Sequence, residues 1–361
     1  MIDFGLSEEE ELIRRTARTF AEEQLRACER EHERSGVAPD LARQYSELGF
    51  STIDLPQPLG GQGLGLFTKC LAAEELARGD AGAVVALDGI APAAYFLAEL
   101  PTDDARRLLA SLAREPGRRA VLFTDWERDL TIDNGRGSGT IAWVPAHRVD
   151  LLVLHQRGKA YVLSDGLRIE PIDACGLRAA GAGQLRLESA RMTHVIEDAA
   201  KLTRGVARTR CYAAALLLGI ARAAMEYAAR YTQDRVVFGK PIAHHQAPAF
   251  LLADMRTGIE AAHLALWRAA TLVDRGEPDA LVAAAGAFGE AADQALFVTQ
   301  HAVQLLGGHG FITDHPVEKW MRDARTLALL WGGRDGALGE AGSGLWPAPL
   351  SSTQPREAAH P

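Results

Sequence analysis

Gln304–Arg325, QLLGGHGFITDHPVEKWMRDAR, and Arg235–Gln246, RVVFGKPIAHHQ, decide how this chain is read. Each lies at the end of a long helical pattern. The helix predicted from Asp279 to Leu306 is bounded by Pro278 and Gly307, and another follows Pro316. Taken singly these residues are ordinary: Gly-Gly after a helix is usually its C-cap, and an arginine near a helix end is usually a surface charge. Their combination is what distinguishes them, a cation, an aromatic, two amides and a Gly-Gly beside long helices. His244-His245 resembles a metal-ligand pair only superficially. Adjacent side chains point about 100° apart and no acidic or Cys partner sits nearby, so no metal is expected.

Outward from these segments, helices dominate. Leu252, Met255, Ile259, Ala262, Leu266, Ala269 and Val273 step by three and four within a helix predicted over Ala247–Arg275. That is a bundle seam about 40 Å long. A further helix is predicted over Ala207–Tyr231. Residues 7–118 also read as helical, opening with a Ser7/Glu10 capping box and an apolar stripe through Leu12, Ala17, Phe20 and Leu25. The Pro- and Gly-rich DLPQPLGGQGLG interrupts them, and a helix is predicted from Leu66 to Gly79. GGQGLG lacks the Lys-Ser/Thr of a phosphate loop, so loop geometry is the better reading. Between the helical parts, RAVLF, GTIAW, DLLVLH, KAYVLS, LRIEPI and QLRLES read as six strands of a small β-barrel or sandwich.

The composition bounds the function classes. With 361 residues, more than one core is expected. A net charge of −8 argues against a nucleic-acid partner. No run approaches 18 apolar residues, so no membrane span is expected. The start, with Glu8 to Glu11 and no apolar run, does not read as a secretory or transit signal, which points to a cytoplasmic protein. Cys28, Cys70, Cys175 and Cys211 are scattered and read as buried, reduced thiols.

On these residues the chain resembles the acyl-CoA dehydrogenase family. Leu48–Gly82 matches an N-terminal pattern of that family, and Gly176–Met192 looks like the end of its β-domain. The resemblance implies an α+β multidomain fold. Its parts would be an N-terminal helical domain (1–118), a small middle β-barrel (119–197) and a C-terminal four-helix bundle (198–338), ahead of a disordered tail (339–361). It implies FAD as cofactor, an acyl-CoA substrate and an electron-transfer acceptor. In the family a carboxylate removes the α-proton of the acyl-CoA while the β-hydrogen passes as hydride to the flavin. FAD lies between subunits, one holding the isoalloxazine and its neighbour the pyrophosphate and adenosine end. The second set is matched here by Arg235, Phe238, Gln246, Gln304, Gly307 and Gly308.

The first set is poorly matched. Thr124-Asp125-Trp126-Glu127 stands where the family opens its β-domain with Thr-Glu-Pro, and Trp143-Val144-Pro145-Ala146 stands where it has Trp-Ile/Val-Thr-Asn. The catalytic base is missing from both of its family positions. Where the family reads Tyr-Glu-Gly-Thr, this chain has Trp331-Gly332-Gly333-Arg334, and the alternative position falls at Thr209. No catalytic residue is therefore assigned. Asp335 and Glu226 are nearby acids with surface or capping roles expected. The family's closing helix is also expected to be missing, Leu330–Leu338 running into the tail. The asymmetry resembles the base-lacking partner subunit of an α2β2 acyl-CoA dehydrogenase for bulky acyl groups such as sterol side chains. Its homologous partner subunit would carry the catalytic Glu. A stand-alone flavoprotein of the same fold with altered chemistry, monooxygenase-like or with an unusual base, and a non-enzymatic, flavin-free scaffold are the alternatives.

Overall fold

The computed structural model describes residues 5–113, 117–125 and 130–343. Its N-terminal part holds α1 (Glu8–Phe20), α2 (Glu29–Ser35), α3 (Pro39–Glu47), α4 (Leu66–Leu87), α5 (Ala93–Leu97) and α6 (Thr102–Ala113). The capping box forms as expected: Ser7 Oγ accepts from Glu10 N at 3.2 Å and Glu10 Oε2 from Ser7 N at 2.7 Å. Ala17, Phe20 and Leu25 are buried, but Leu12 is exposed and Ile13 packs on the core in its place. The helix expected to end at Gly79 breaks there and resumes. Asp80 leaves helical geometry at φ −158°, ψ 103°, and its carboxylate accepts from Gly82 N and Ala83 N, restarting the helix.

The middle part is a seven-stranded sheet of β1 (Ala120–Asp125), β2 (Thr131–Asp133), β3 (Arg136–Val144), β4 (Leu151–Gln156), β5 (Lys159–Ser164), β6 (Leu167–Pro171) and β7 (Gly183–Ile196). Its order is β1-β4-β5-β7-β3-β2, with β6 also on β7; only β1 and β4 are parallel. The expected barrel does not close. β1 and β2 remain unjoined edges among the described residues, because β2 is only three residues long and β1 packs on α5 and the loop Leu330–Gly332. The 14-residue β7 bends at Ser189, φ +56°, and pairs with β3 and β6 along its first half and β5 along its second. β2 escaped the strand count for its brevity. Trp126 and Glu127 lie outside the described residues.

The C-terminal bundle comprises α7 (Ala199–Asp234), α8 (Gln246–Arg275), α9 (Ala280–Leu306) and α10 (Val317–Leu327), followed by α11 (Gly333–Ser343). A short hairpin of β8 (Val236–Val237) and β9 (Lys240–Pro241) joins α7 to α8. α7 begins eight residues before its predicted start, capped by Asp198, whose carboxylate accepts from Ala200 N at 2.9 Å and Lys201 N at 3.2 Å. The α8 seam is as read: Met255, Ile259, Ala262, Leu266 and Ala269 are buried and Leu252 and Val273 half-buried. α7 crosses α4 closely at Gly219, where a Cβ would come within 2.4 Å of the Glu74 carbonyl oxygen. Arg222 of α7 bonds Glu74 of α4 at 2.6 Å beside that crossing. α7 and the Ala280–Phe311 segment are long and apolar enough to cross a membrane, yet they pack on one another in the bundle.

Two expectations fail here. The closing helix expected to be missing is present: α11 packs on α9 and takes in residues 339–343 of the expected tail, whose remainder, 344–361, lies outside the described residues. A Gly-rich helix is unreadable from propensity, and tertiary contact supplies its stability. The cysteines are not uniformly buried. Cys70 and Cys211 are, Cys28 is half-buried, and Cys175 is exposed; all four are free.

Candidate functional site: an open cavity and a closed one

The two opening segments meet. The C-terminus of α7, the hairpin, the start of α8 and the end of α9 enclose a cavity of about 740 Å³. Arg235, Phe238, Gln304, Gly307 and Gly308 all line it. Gln246 does not; it is exposed as the first residue of α8, between the lining residues His245 and Ala247. Ile242, Leu251, Leu305 and Leu306 give the cavity apolar walls.

Local structure explains each position. Arg235 ends α7, its amide donating to the Tyr231 carbonyl at 3.0 Å and its carbonyl accepting from Ile242 N at 2.9 Å. Its guanidinium has no partner among the described residues. Phe238 and Gly239 form the two-residue hairpin turn with φ of +53° and +79°. Two positive φ values match the right-handed twist of the strands, a geometry that favours Asn-Gly or Gly-Gly. A phenylalanine there costs on the order of 1–3 kcal/mol, and its ring is 93% exposed. Its ring stands edge-on to His245 at 6.4 Å and otherwise faces solvent at the cavity, a position suited to covering a ligand. His245 Nε2 donates to the Val237 carbonyl at 3.0 Å, fastening the hairpin to α8. At the opposite wall α9 ends in Gly307, φ +58°, and added methyl groups at Gly307 and Gly308 would meet nothing within 4 Å. The Gly307 amide donates to the Gln304 carbonyl, closing the helix, and the open space over Gly307 and Gly308 lets a ligand approach the backbone closely.

The two positions that would carry the base also meet, at a different place. Thr209 on α7 and Trp331, next to Gly332, line a cavity with Leu122, Thr124, His155 and Glu340. It has a volume of about 10 Å³, barely enough for one water. The Thr209 hydroxyl donates to the Gly205 carbonyl at 2.8 Å. Burial pushes the His155 imidazole below its usual range, with Arg210 acting in the same direction and Glu340 against it. Asp335 and Glu226 line neither cavity. Asp335 pairs with Arg334 at 2.8 Å on the surface, and Glu226 with Arg78 at 2.8 Å. Trp143 is half-buried against the main core.

Sequence reasoning missed Tyr231, His245 and His309, which also line the open cavity, and the Arg210–Glu340 pair at the closed one. Tyr231 had a legible signal, lying one helical turn before Arg235 on the same face. Glu340 had none, since it acts only once α11 has folded back.

A helical domain, a β-sheet and a helical bundle with a cavity at the helix ends define a flavoprotein-type dehydrogenase architecture, and comparison with known proteins agrees. Residues 7–115 match the model for the acyl-CoA dehydrogenase N-terminal domain and residues 199–338 that for the acyl-CoA dehydrogenase C-terminal domain. The probable acyl-CoA dehydrogenase FadE25 of Mycobacterium tuberculosis is 30% identical over 367 residues, 91% of this chain and 93% of its own. Cyclohex-1-ene-1-carbonyl-CoA dehydrogenase of Geobacter metallireducens is 31% identical over 370 residues, covering 91% and 95%. Among solved structures, the Tcur3481-Tcur3483 steroid ACAD superposes with a TM-score of 0.81 at 27% identity, covering 93% of this chain and 97% of that one. The chain belongs to the acyl-CoA dehydrogenase family, whose reaction is the flavin-dependent dehydrogenation of acyl-CoA thioesters.

Proposed function

We propose that this chain is the base-lacking subunit of a heteromeric, FAD-dependent acyl-CoA dehydrogenase, completing the flavin site of a homologous subunit that carries the catalytic Glu. The observation that carries this reading is the contrast between the two cavities. The one lined by Arg235, Phe238, Gln304, Gly307 and Gly308 is open at about 740 Å³. The one at Thr209 and Trp331 is closed to about 10 Å³, and neither position that matches the family's base carries a carboxylate. Loss of function by drift would degrade both.

The open cavity fits the pyrophosphate and adenosine end of FAD. Arg235 supplies an unpartnered planar cation for a phosphate, a charge-assisted contact. Gly307 and Gly308, with no side chains, leave room for close approach to the backbone, Gln304 adds an amide side chain, and Phe238 an apolar lid. Gln246, at the rim, is assigned a weaker share. FAD when bound supplies the hydride acceptor; the base and the isoalloxazine contacts come from the partner. This chain's part is to bind, orient and cover the far end of the cofactor. The Tcur3481-Tcur3483 relative, a steroid ACAD, supports a bulky acyl substrate. An electron-transfer acceptor then reoxidises the flavin.

Co-expression with homologous subunits carrying a Glu at the Gly332 position tests this. Flavin absorbance against protein mass should give one FAD per pair of unlike chains, and the isolated chain should hold little. A yellow homo-oligomer of this chain with stoichiometric, tightly held FAD and its own acyl-CoA turnover overturns the reading.

A further inference from the structure

Four side chains beside the open cavity form a cluster that the reading above does not use. The Tyr231 hydroxyl lies 2.8 Å from His309 Nδ1, and the Tyr227 hydroxyl 2.7 Å from His315 Nδ1. Tyr227 and Tyr231 are one turn apart on α7, so both hydroxyls project to the same side. The two imidazoles lie almost parallel, with 12° between planes and 5.2 Å between centroids. The Tyr231 ring stands edge-on to both, at 5.9 and 5.8 Å. Behind them Trp320 packs edge-on to Tyr227 at 5.8 Å, and Arg30 donates to the His315 carbonyl at 2.8 Å.

Of the four, Tyr231 and His309 line the cavity. His309 Nδ1 is engaged by Tyr231, while Nε2 has no partner among the described residues. The Tyr231 hydroxyl can donate to His309 Nδ1 or accept from it; in the tautomer in which it donates, the ring proton sits on Nε2 and is offered from there. His245, in the same cavity, has the opposite polarity. Its Nε2 is committed as donor to the Val237 carbonyl, so Nδ1 is left as an acceptor. One cavity thus holds two imidazoles with complementary free edges.

We propose that His309 donates to the phosphate-bearing part of the cofactor, alongside Arg235, and that Tyr231 and His315 hold its ring for that contact. The proposal rests on the assignment of this cavity to the pyrophosphate and adenosine end of FAD. Phosphate oxygens only accept hydrogen bonds, so a donor of fixed direction suits them and the His245 edge does not. His245 Nδ1 instead suits a donor on the adenosine, a ribose hydroxyl or the exocyclic amine. Arg235 contributes charge; His309 contributes direction, because its stacked neighbour and its tyrosine restrict ring rotation.

ADP and adenosine, as fragments of FAD with and without phosphates, test this by calorimetric titration of the assembled complex with its flavin removed. His309→Leu should weaken ADP about 10-fold, the loss of one hydrogen bond to a charged group, and leave adenosine unchanged. His309→Gln, which keeps an N–H donor, should recover much of the loss. Tyr231→Phe should weaken ADP in the same direction by less, and His245→Leu should weaken both ligands equally. His309 is exposed, so the two His309 variants should melt as the parent does. If His309→Leu binds ADP like the parent while Arg235→Ala does not, the His309 role is wrong and the cavity assignment stands. If the parent binds no ADP, or Arg235→Ala is equally without effect, the cavity assignment falls and the His309 role with it.

Discussion

Arg210 grips Glu340 through two hydrogen bonds, Nε to Oε2 at 3.0 Å and Nη2 to Oε1 at 2.8 Å, fastening α11 to α7. Its remaining nitrogen, Nη1, donates to the carbonyls of Trp331 at 3.1 Å and Gly333 at 3.3 Å. One buried guanidinium therefore holds the terminal helix and the loop around Gly332 together, and the side chains it gathers fill the cavity beside Thr209.

Removing the carboxylate strands that cation. Glu340→Ala should destabilise the chain by about 2–3 kcal/mol, near the low end for breaking a buried pair because Glu340 retains some solvent contact. The urea midpoint reads this directly. A midpoint equal to that of the parent would mean the clamp is incidental and α11 is held by its packing on α9.

Putting the missing carboxylate back should not restore a dehydrogenase. Gly332 has φ +96°, a backbone region that side chains disfavour, and follows Trp331, itself at φ +54°. Gly332→Glu should cost on the order of 1–3 kcal/mol of stability. The cavity lined by its neighbour Trp331 and by Thr209 holds only about 10 Å³, with no room for a substrate beside the new carboxylate. The expected outcome is a less stable chain with no acyl-CoA turnover in a dye-reduction assay. Turnover at a rate ordinary for the family would show that the base was the one thing missing.

What could be read from the chain and what could not divides along the range of the interactions. The capping box at Ser7, the α8 seam and the strands of the sheet are written in residues a few positions apart, and they formed. The Gly-Gly stop of α9 was legible as a helix end, whereas the hairpin at Phe238-Gly239 was not, since its turn sequence departs from the usual Asn-Gly or Gly-Gly. Long-range contacts left no trace. Asp274, at the end of α8, caps α4 by accepting from Leu66 N at 2.7 Å and Phe67 N at 2.9 Å, where the α4 N-cap is a glycine with no side chain to offer. The closure expected of the sheet depended on whether β1 would pair with β2 or lie under the helices, and six short apolar runs do not say which. The helix α11 was misread for the same reason: its glycines have low propensity, and Leu338, Glu340 and their partners on α7 and α9 supply what propensity lacks.

A second buried charge cluster offers a pH test. Lys319 Nζ lies 2.7 Å from both Asp80 Oδ1 and Asp323 Oδ2, inside the protein. Asp80 also meets His32 at 3.3 Å, and Asp323 accepts from Leu177 N at 2.6 Å, so the cluster joins α2, α4, α10 and the approach to β7. Burial alone would raise the Asp80 carboxyl; Lys319 and His32 outweigh it and hold it below the ordinary range. A carboxyl depressed on folding stabilises above its unfolded pKa, near 4, and that stability is lost as pH falls through the folded value. Lys319→Met should cost about 3–5 kcal/mol at neutral pH and move acid unfolding to higher pH. Equal acid midpoints for parent and variant, by circular dichroism, would refute the argument.

Arg235 tests the cofactor assignment most directly. It is exposed at the end of α7, its guanidinium makes no hydrogen bond or ion pair with the described residues, and it shares its cavity with Phe238, Gln304 and the Gly307-Gly308 backbone. Arg235→Ala should leave the bundle intact, since the guanidinium supports nothing within it. In the assembled complex it should remove a charge-assisted hydrogen bond to a phosphate, worth about 1.5–3 kcal/mol, and so lower flavin affinity about 10- to 150-fold. Arg235→Lys should recover part of that loss, restoring the charge without the planar fork. Released flavin fluorescence against complex concentration gives the affinities, and thermal melting confirms the fold. Unchanged affinity in Arg235→Ala would make this arginine a surface charge, and the pyrophosphate end of FAD would have to be sought elsewhere on the chain.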